Sequence, residues 1–329
     1  VTQTETVLLT GASAQVGLHI LPKLLDAGFD TCALSRQLGR QLGRQIGRQT
    51  SRNIQQAVIK DGPSGARLSW FSPDQFNAKV SNENSGRTTH SQRPEILISA
   101  GPIKLASQWL DRCRSVRKLV CLSTTSVFSK ADSSDPAEKA QIEEIIQAEQ
   151  QLITACSERN VDLTILRPTL IYGCGMDENI SRLAQFIRKF GFLPLAGAAK
   201  GLRQPLHVAD LAEVITLIVR SEMLGRKDYT VAGGSTLSYR DMVAKVFRAL
   251  GKTERILHVP PRLLATAVAV AGKLTSTKSM NATMVLRQNQ DLVFDGVAIQ
   301  QRFGFEPRAF EPSLDDFQLP AELQRYVSG

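Results

Sequence analysis

Residues 6–17 read Thr6-Val-Leu-Leu-Thr10-Gly11-Ala12-Ser13-Ala14-Gln15-Val16-Gly17, and the fold follows from how this stretch is read. A short run of strand formers breaks at a glycine-bearing turn. The next ten residues carry apolar side chains at 16, 20, 21, 24 and 25, which is helical spacing. Pro22 inside that stretch predicts a kink, and Gly28 stands just past its end, where a helix C-cap belongs. Residues 31–34, Thr-Cys-Ala-Leu, form a second strand. In such a β-α-β unit the turn aims backbone N–H groups and a helix N-terminus at a pyrophosphate. Gly11 supplies the tight turn, Gly17 lets the helix approach the strand, and Ala14 replaces a third glycine. Gly11, Ser13, Ala14, Gln15, Val16 and Gly17 are therefore the expected dinucleotide contacts, against the plainer reading of a structural β-α turn.

The end of the second strand selects the cofactor. A carboxylate there holds the ribose 2′-OH of NAD, whereas an arginine accommodates the 2′-phosphate of NADP. Ser35-Arg36 occupies the position, and Arg36 offers a charged donor fork, so NADP is expected, with NAD as the alternative. Arg36 also opens a four-residue repeat over residues 37–52 (QLGR, QLGR, QIGR, QTSR), read as an expanded surface connection.

Further strands are expected at 66–71, 95–100, 118–123, 162–166 and 229–232. Residues 77–94 are polar and read as a loop or an irregular helix. Helices are expected at 136–159, 180–190, 208–220, 239–250 and 261–274. Strands alternating with helices indicate an α/β fold with a doubly wound parallel sheet. The expected organisation is a dinucleotide-binding domain over residues 1–170 and a smaller α/β substrate lobe over 171–329, interleaved with the first.

The net charge of +9 invites a nucleic-acid reading, but Arg36, Arg40, Arg44, Arg48 and Arg52 supply five of the positive charges in one repeat without interleaved aromatics. No nucleic-acid partner is expected. The five cysteines form no C-x-x-C pair and fall in apolar segments, which predicts buried thiols and a reducing compartment. With no signal peptide before the first strand, the expected location is cytoplasmic. The longest apolar run, residues 263–271, is too short to span a bilayer. The four histidines have no metal-ligand spacing, so no metal is expected.

Several further stretches carry a resemblance. Ile98-Ser-Ala-Gly101, Leu119-Val-Cys-Leu-Ser-Thr-Thr-Ser-Val-Phe128, Leu166-Arg-Pro-Thr-Leu-Ile-Tyr-Gly173, Leu206-His-Val-Ala-Asp-Leu-Ala212, Asp291-Leu-Val-Phe-Asp295 and Phe303-Gly-Phe-Glu-Pro307 occur in that order. Together with the turn they resemble the extended and atypical short-chain dehydrogenase/reductases of the NAD-dependent epimerase/dehydratase group, across nearly the whole chain. The resemblance implies a Rossmann domain, cofactor contacts from Ala100, Gly101, Ser123 and Pro168, and a small-molecule substrate such as a nucleotide sugar. It also implies a homodimer, for which the helix near 137–156 is a candidate contact.

The chain departs from the family at its chemistry. The family's base is a tyrosine, with a lysine four residues on that lowers its pKa and a glutamate four further. Counting back from Arg167-Pro168, the glutamate falls on Glu149, the lysine position on Ile145 and the tyrosine position on Gln141. No tyrosine occurs between Ser123 and Arg167. Thr124 keeps the position of the hydroxyl that holds the substrate oxygen. Tyr172, on the loop over the expected nicotinamide, is the remaining phenol, with a structural aromatic as its competing reading. His207 and Asp210 read as structural at a helix start, and Asp177 and Glu178 as loop acids. Two functions follow from the resemblance: an NADP-dependent oxidoreductase or sugar-nucleotide epimerase of non-standard activity, or a catalytically silent NADP-binding sensor or assembly protein. An accessory subunit of respiratory complex I is the precedent in this family for the second.

Overall fold

The computed structural model describes residues 5–35, 57–61, 65–84, 93–222, 225–275, 282–324 and 326. Arg36 and the 37–52 repeat lie outside the described residues. In chain order the elements are β1 (Thr6–Thr10), α1 (Gln15–Asp26), β2 (Asp30–Leu34), β3 (Ala57–Asp61), β4 (Arg67–Phe71), α2 (Pro73–Asn84), β5 (Ile96–Ser99), α3 (Lys104–Arg112), β6 (Lys118–Leu122), α4 (Ser126–Ser129), α5 (Pro136–Glu158) and β7 (Asp162–Pro168). They continue with β8 (Ile171–Tyr172), α6 (Ile180–Phe190), β9 (Leu193–Ala196), β10 (Leu202–Arg203), β11 (Leu206–His207), α7 (Val208–Arg220), β12 (Lys227–Val231), β13 (Leu237–Ser238), α8 (Tyr239–Ala249), β14 (Ile256–Val259), α9 (Pro261–Thr275), α10 (Ala282–Leu286) and α11 (Val297–Phe303).

The main sheet has the order β12-β7-β6-β5-β1-β2-β4-β3. Seven of its strands run parallel, and β3 joins β4 antiparallel at the edge. Parallel strands are covered on both faces, which is why β1, β5 and β6 read as nearly unbroken apolar runs. One face carries Val7, Leu9, Ile98 and Val120 against α1 and α7, through Leu21, Leu24, Leu211 and Ile215. The other carries Leu8, Leu97, Leu119 and Cys121 against α3 and α5, through Trp109, Leu110, Ala148 and Leu152. All five cysteines are buried as free thiols.

Past residue 171 three two-stranded pairings, β8–β11, β9–β14 and β10–β13, build a second lobe around Tyr172, Ile180, Val243, Phe247 and Phe310. One strand of this half, β12, returns to the main sheet and pairs with β7, Tyr229 opposite Leu166. The doubly wound α/β architecture expected from the sequence is therefore present.

Two segments differ from the expectation. Part of the polar 77–94 stretch belongs to a regular helix, α2, which starts with a reciprocal cap: Gln75 N donates to Ser72 Oγ (3.2 Å) and Ser72 N to Gln75 Oε1 (2.8 Å). Phe76 anchors that helix edge-on against Phe71 and Trp109. The antiparallel β3 had no counterpart among the expected strands. Pro22 lies within α1, which is one element from Gln15 to Asp26. Gly28 takes a left-handed φ of +88° just beyond that helix, as a C-cap glycine should.

Candidate cofactor site and its surroundings

At the end of β1, Gly11 has φ +71°, and a Cβ there would lie 3.0 Å from Ala100 C and Gly101 N. The turn is thus pressed against the end of β5, and Ala100 N donates to Thr10 O (3.1 Å). Gly17 is tighter: a Cβ would sit 2.2 Å from Gly11 O. Both glycines are dictated by close backbone approach, which a side chain would block. Two of the expected segments, 11–17 and 100–101, meet here. Thr10 Oγ1 donates to Ser99 Oγ (3.2 Å) beneath them, a buried pair that sequence patterning does not show.

Helix α1 begins without a side-chain cap, its N-cap being Ala14, and has no acidic residue in its first turn. Its leading N–H groups are left to an external acceptor, and the helix dipole favours an anion there. Gln15 Nε2 is buried without a hydrogen-bond partner among the described residues. Ser13 Oγ accepts from Ser35 Oγ (2.9 Å), which ties the turn to the end of β2 next to Arg36. An open helix end, an orphaned amide and two glycines admitting close approach fit a pyrophosphate.

The ends of β6 and β7 lie alongside. Ser123 N donates to Leu166 O (2.8 Å), and Thr125 Oγ1 donates to Pro168 O (3.1 Å), so Ser123, Thr124 and Pro168 share one edge of the sheet. Thr124 Oγ1 accepts from Ser126 N (3.1 Å), starting α4. Ser123 Oγ donates to Glu149 Oε1 at 2.5 Å. Arg167 holds the same carboxylate through Nε (3.1 Å) and Nη2 (2.5 Å), and both side chains are buried. Sequence counting located Glu149, but its partner was not expected. Ser123, an expected cofactor contact, thus has its hydroxyl bonded to Glu149.

The model of the NAD dependent epimerase/dehydratase family matches residues 7–232. The chain belongs to this family. A UDP-glucose 4-epimerase of Vibrio cholerae is 24% identical over 172 residues, covering 49% of this chain and 52% of that protein. A mitochondrial NADH dehydrogenase [ubiquinone] 1 alpha subcomplex subunit 9 of Arabidopsis thaliana is 26% identical over 115 residues, 34% of this chain and 27% of that protein. The chain thus spans at most about half the length of these curated relatives. Among solved structures, a UDP-N-acetylglucosamine 4-epimerase from Methanobrevibacter ruminantium, in complex with UDP-N-acetylmuramic acid, superposes with TM-score 0.63 at 13% identity, covering 99% of both chains. MoeE5 with UDP-glucuronic acid and NAD gives 0.61 at 17% identity, covering 98% of this chain and 99% of the other.

In this epimerase/dehydratase chain, Gln141, Ile145 and Glu149 lie one turn apart along α5, and burial rises inward: Gln141 is exposed, Ile145 half-buried and Glu149 buried. Tyr172 does not take the place of a base. It is buried in the second lobe, its ring edge-on to His207 (5.1 Å) and Phe310 (4.9 Å), and burial pushes its phenol well above its usual range. Of the two readings of Tyr172 from the sequence, this packing favours the structural aromatic. Asp177 lies in the loop before α6 as expected, but it is buried and accepts from Asn179 N (3.1 Å) and Ser181 N (2.9 Å) at the start of that helix. Glu178 is exposed and paired with Arg182 (3.0 Å). At the start of α7 it is His207, rather than Asp210, that caps the helix: Ala209 N donates to His207 Nδ1 (3.1 Å), which leaves Nε2–H directed at Asp316 Oδ1 (3.0 Å). Asp210 instead holds Arg308 through Nε (2.8 Å) and Nη2 (2.7 Å).

A second charged cluster joins the lobes. The buried Glu138 of α5 accepts from Lys130 Nζ (3.2 Å), Ser133 Oγ (2.8 Å) and the Arg287 guanidinium. The hydrogen bonds from Arg287 hold its carboxyl down to about 2, against the opposing effect of burial. The chain just after Arg287 lies across β9 and β10, with Gln288 Oε1 accepting from Ala196 N (2.7 Å) and Gln290 O from Arg203 Nη1 (2.7 Å). An open cavity of about 790 Å³ in the second lobe is lined by Lys200, Arg240, Asp241 and His258; none of the turn residues borders it.

Proposed function

We propose that this chain holds NADP in the site bounded by Gly11, Ser13, Ala14, Gln15, Val16, Gly17, Ala100, Gly101 and Pro168, with Arg36 on the 2′-phosphate. In this reading its chemistry on a nucleotide-sugar-like substrate is non-standard and slow at most. The observation that carries the reading is the content of one helix face: Gln141 and Ile145 stand one turn apart before a Glu149 that is fixed by Arg167. A glutamine amide does not titrate near neutral pH and an isoleucine carries no charge, so neither takes a proton nor lowers the pKa of a neighbour. Bound NADP supplies a hydride acceptor. The chain's own residues supply the rest: the uncapped α1 end and Gln15 bind phosphate, and the Thr124 hydroxyl orients a substrate oxygen. Residues 1–170 form the cofactor unit and 171–329 the substrate lobe, in a cytoplasmic homodimer.

A second reading, a silent NADP-binding sensor or assembly protein, is favoured by the same empty relay and by the match to a subunit of an NADH dehydrogenase. Titration with NADPH for binding, and product analysis with the oxidised cofactor NADP+ plus UDP-glucose or UDP-N-acetylglucosamine for conversion, test both. Binding with slow conversion supports the enzyme, binding without conversion supports the silent protein, and no binding contradicts both.

A further inference from the structure

The two lobes are joined in two different ways. Where the chain passes between them, at 168–171, 204–207, 231–234 and 294–296, the passages are bound to one another. Thr169 N donates to Val231 O (3.0 Å), Leu206 N to Leu170 O (2.8 Å) and Phe294 N to Gln204 Oε1 (2.8 Å). A Cβ on Gly233 would lie 1.8 Å from Pro205 O. Passages tied together in this way make a pivot.

At the corner between α4 and α5 the contact is of another kind. Residues 287–292 form a strap held by the second lobe. Gly201 N donates to Gln288 O (3.1 Å), Asn289 Nδ2 to Ala196 O (2.8 Å), Arg203 Nη2 to Arg287 O (2.7 Å) and Leu292 N to Leu202 O (2.9 Å). From this strap the Arg287 guanidinium reaches the first lobe, where Nη1 donates to Glu138 Oε1 (2.9 Å) and Nη2 to Oε2. The first lobe also supplies that carboxylate with its own donors, Lys130 Nζ and Ser133 Oγ. Beside the pair, the Phe128 and Phe294 rings lie 6.2 Å apart, and Phe128 is 58% exposed. None of the buried apolar clusters among the described residues holds side chains from both 124–138 and 287–294. A contact between lobes without a large apolar core permits relative motion.

We propose that the Arg287–Glu138 pair is a clasp: it holds the second lobe against the corner that begins at Thr124, and it opens before a nucleotide-sugar-like ligand enters between the lobes. The ligand rests on the proposed function, whereas the clasp rests on the contacts alone. The strap carries Arg287 with the second lobe, so a swing about the pivot parts the pair. Lys130 and Ser133 stay on Glu138 when Arg287 leaves, and opening therefore does not strand the carboxylate. Arg287 is only half-buried and passes to water. The closed lobes are thus held at this corner by a contact that can be made and broken.

The test is the distance between spin labels at Lys139→Cys on α5 and Lys252→Cys just after α8, both exposed positions. The five natural cysteines are buried, so the introduced thiols take the label. With the clasp intact one short distance should dominate, the open form being at most about 10% of molecules. Glu138→Gln should move most molecules to a second, longer distance. Arg287→Gln, which leaves Glu138 with Lys130 and Ser133, should do the same, and Arg287→Lys should restore the short distance. UDP-glucose should bind the Glu138→Gln protein about tenfold or more tighter, the factor by which a minor competent state weakens apparent affinity. Unchanged distances in both cooperatively melting variants would overturn the clasp. So would a longer distance with weaker UDP-glucose binding, since the pair would then be a brace that completes the site. No UDP-glucose binding by any of these proteins would strike the proposed function instead, and the distances would still decide the clasp.

Discussion

Arg167 grips Glu149 through two nitrogens, Nε to Oε1 at 3.1 Å and Nη2 to Oε2 at 2.5 Å, in the interior between α5 and β7. The pair ties the Glu149 turn of α5 to β7. Removing Glu149 leaves the buried Arg167 with only the longer contact to Asp228 (3.6 Å), whereas removing both partners leaves no buried cation. Glu149→Gln should therefore destabilise the fold by roughly 3–5 kcal/mol, and Glu149→Gln combined with Arg167→Met by less. Urea denaturation measures both. A single-variant loss within about 0.5 kcal/mol would show the pair to be incidental.

Glu138 gives the fold an acid-sensitive seam. Its carboxyl is held at about 2, below the ordinary 4.5, chiefly by Arg287. A depressed folded-state pKa contributes stability that is fully present above the unfolded value and is lost as pH falls through the folded one. Stability should thus drop between about pH 5 and pH 2, and the shift corresponds to about 3 kcal/mol. Glu138→Gln should remove this contribution at pH 7 and flatten the acid limb of the stability curve. An unchanged limb in the variant would assign the acid sensitivity elsewhere.

Gly17→Ala tests the turn. Its Cβ would meet Gly11 O and Ala12 Cα, both backbone atoms that cannot rotate away. Overpacking of this kind costs about 1–3 kcal/mol, occasionally more, and here it also pushes α1 off the phosphate position. A lowered melting temperature with weaker NADPH binding is expected. A variant that binds NADPH normally would mean that the turn does not contact the cofactor.

The sheet was legible because its strands are buried on both faces and its main helices have one apolar face. α6 and α7 lie at the expected residues, since Ile180, Ala184 and Ile187, and Leu211, Ile215 and Ile218, mark their buried sides. α2 was not, because its composition is polar and it is fixed by a local cap and the single anchor Phe76. β3 was not, because its pairing with β4 is irregular, with a register shift between Ala57 and Lys60. At the site, Gly11 and Gly17 were legible from spacing. The surroundings of Tyr172 were not legible, because its packing partners His207 and Phe310 are distant in sequence.

In the proposed function, cofactor choice rests on Arg36. NADPH and NADH differ only in the 2′-phosphate, so Arg36→Ala should weaken NADPH more than NADH, by about 1.5–3 kcal/mol for one charge-assisted contact. Calorimetric titration with each ligand reads the difference directly. Equal losses for the two would remove the assignment.

The proposed function has this chain keep the cofactor fold without a proton relay, Gln141 and Ile145 standing at its expected positions. The most direct measurement is product formation from UDP-glucose, with NADP+ supplied as hydride acceptor, by the unmodified protein and by the double variant Gln141→Tyr with Ile145→Lys, each confirmed to be folded. Acid–base assistance is typically worth about 10²–10⁴-fold, so the double variant should exceed the unmodified protein by a factor in that range, with either single change doing little. Robust turnover by the unmodified protein, or a folded double variant no faster than it, would contradict the account.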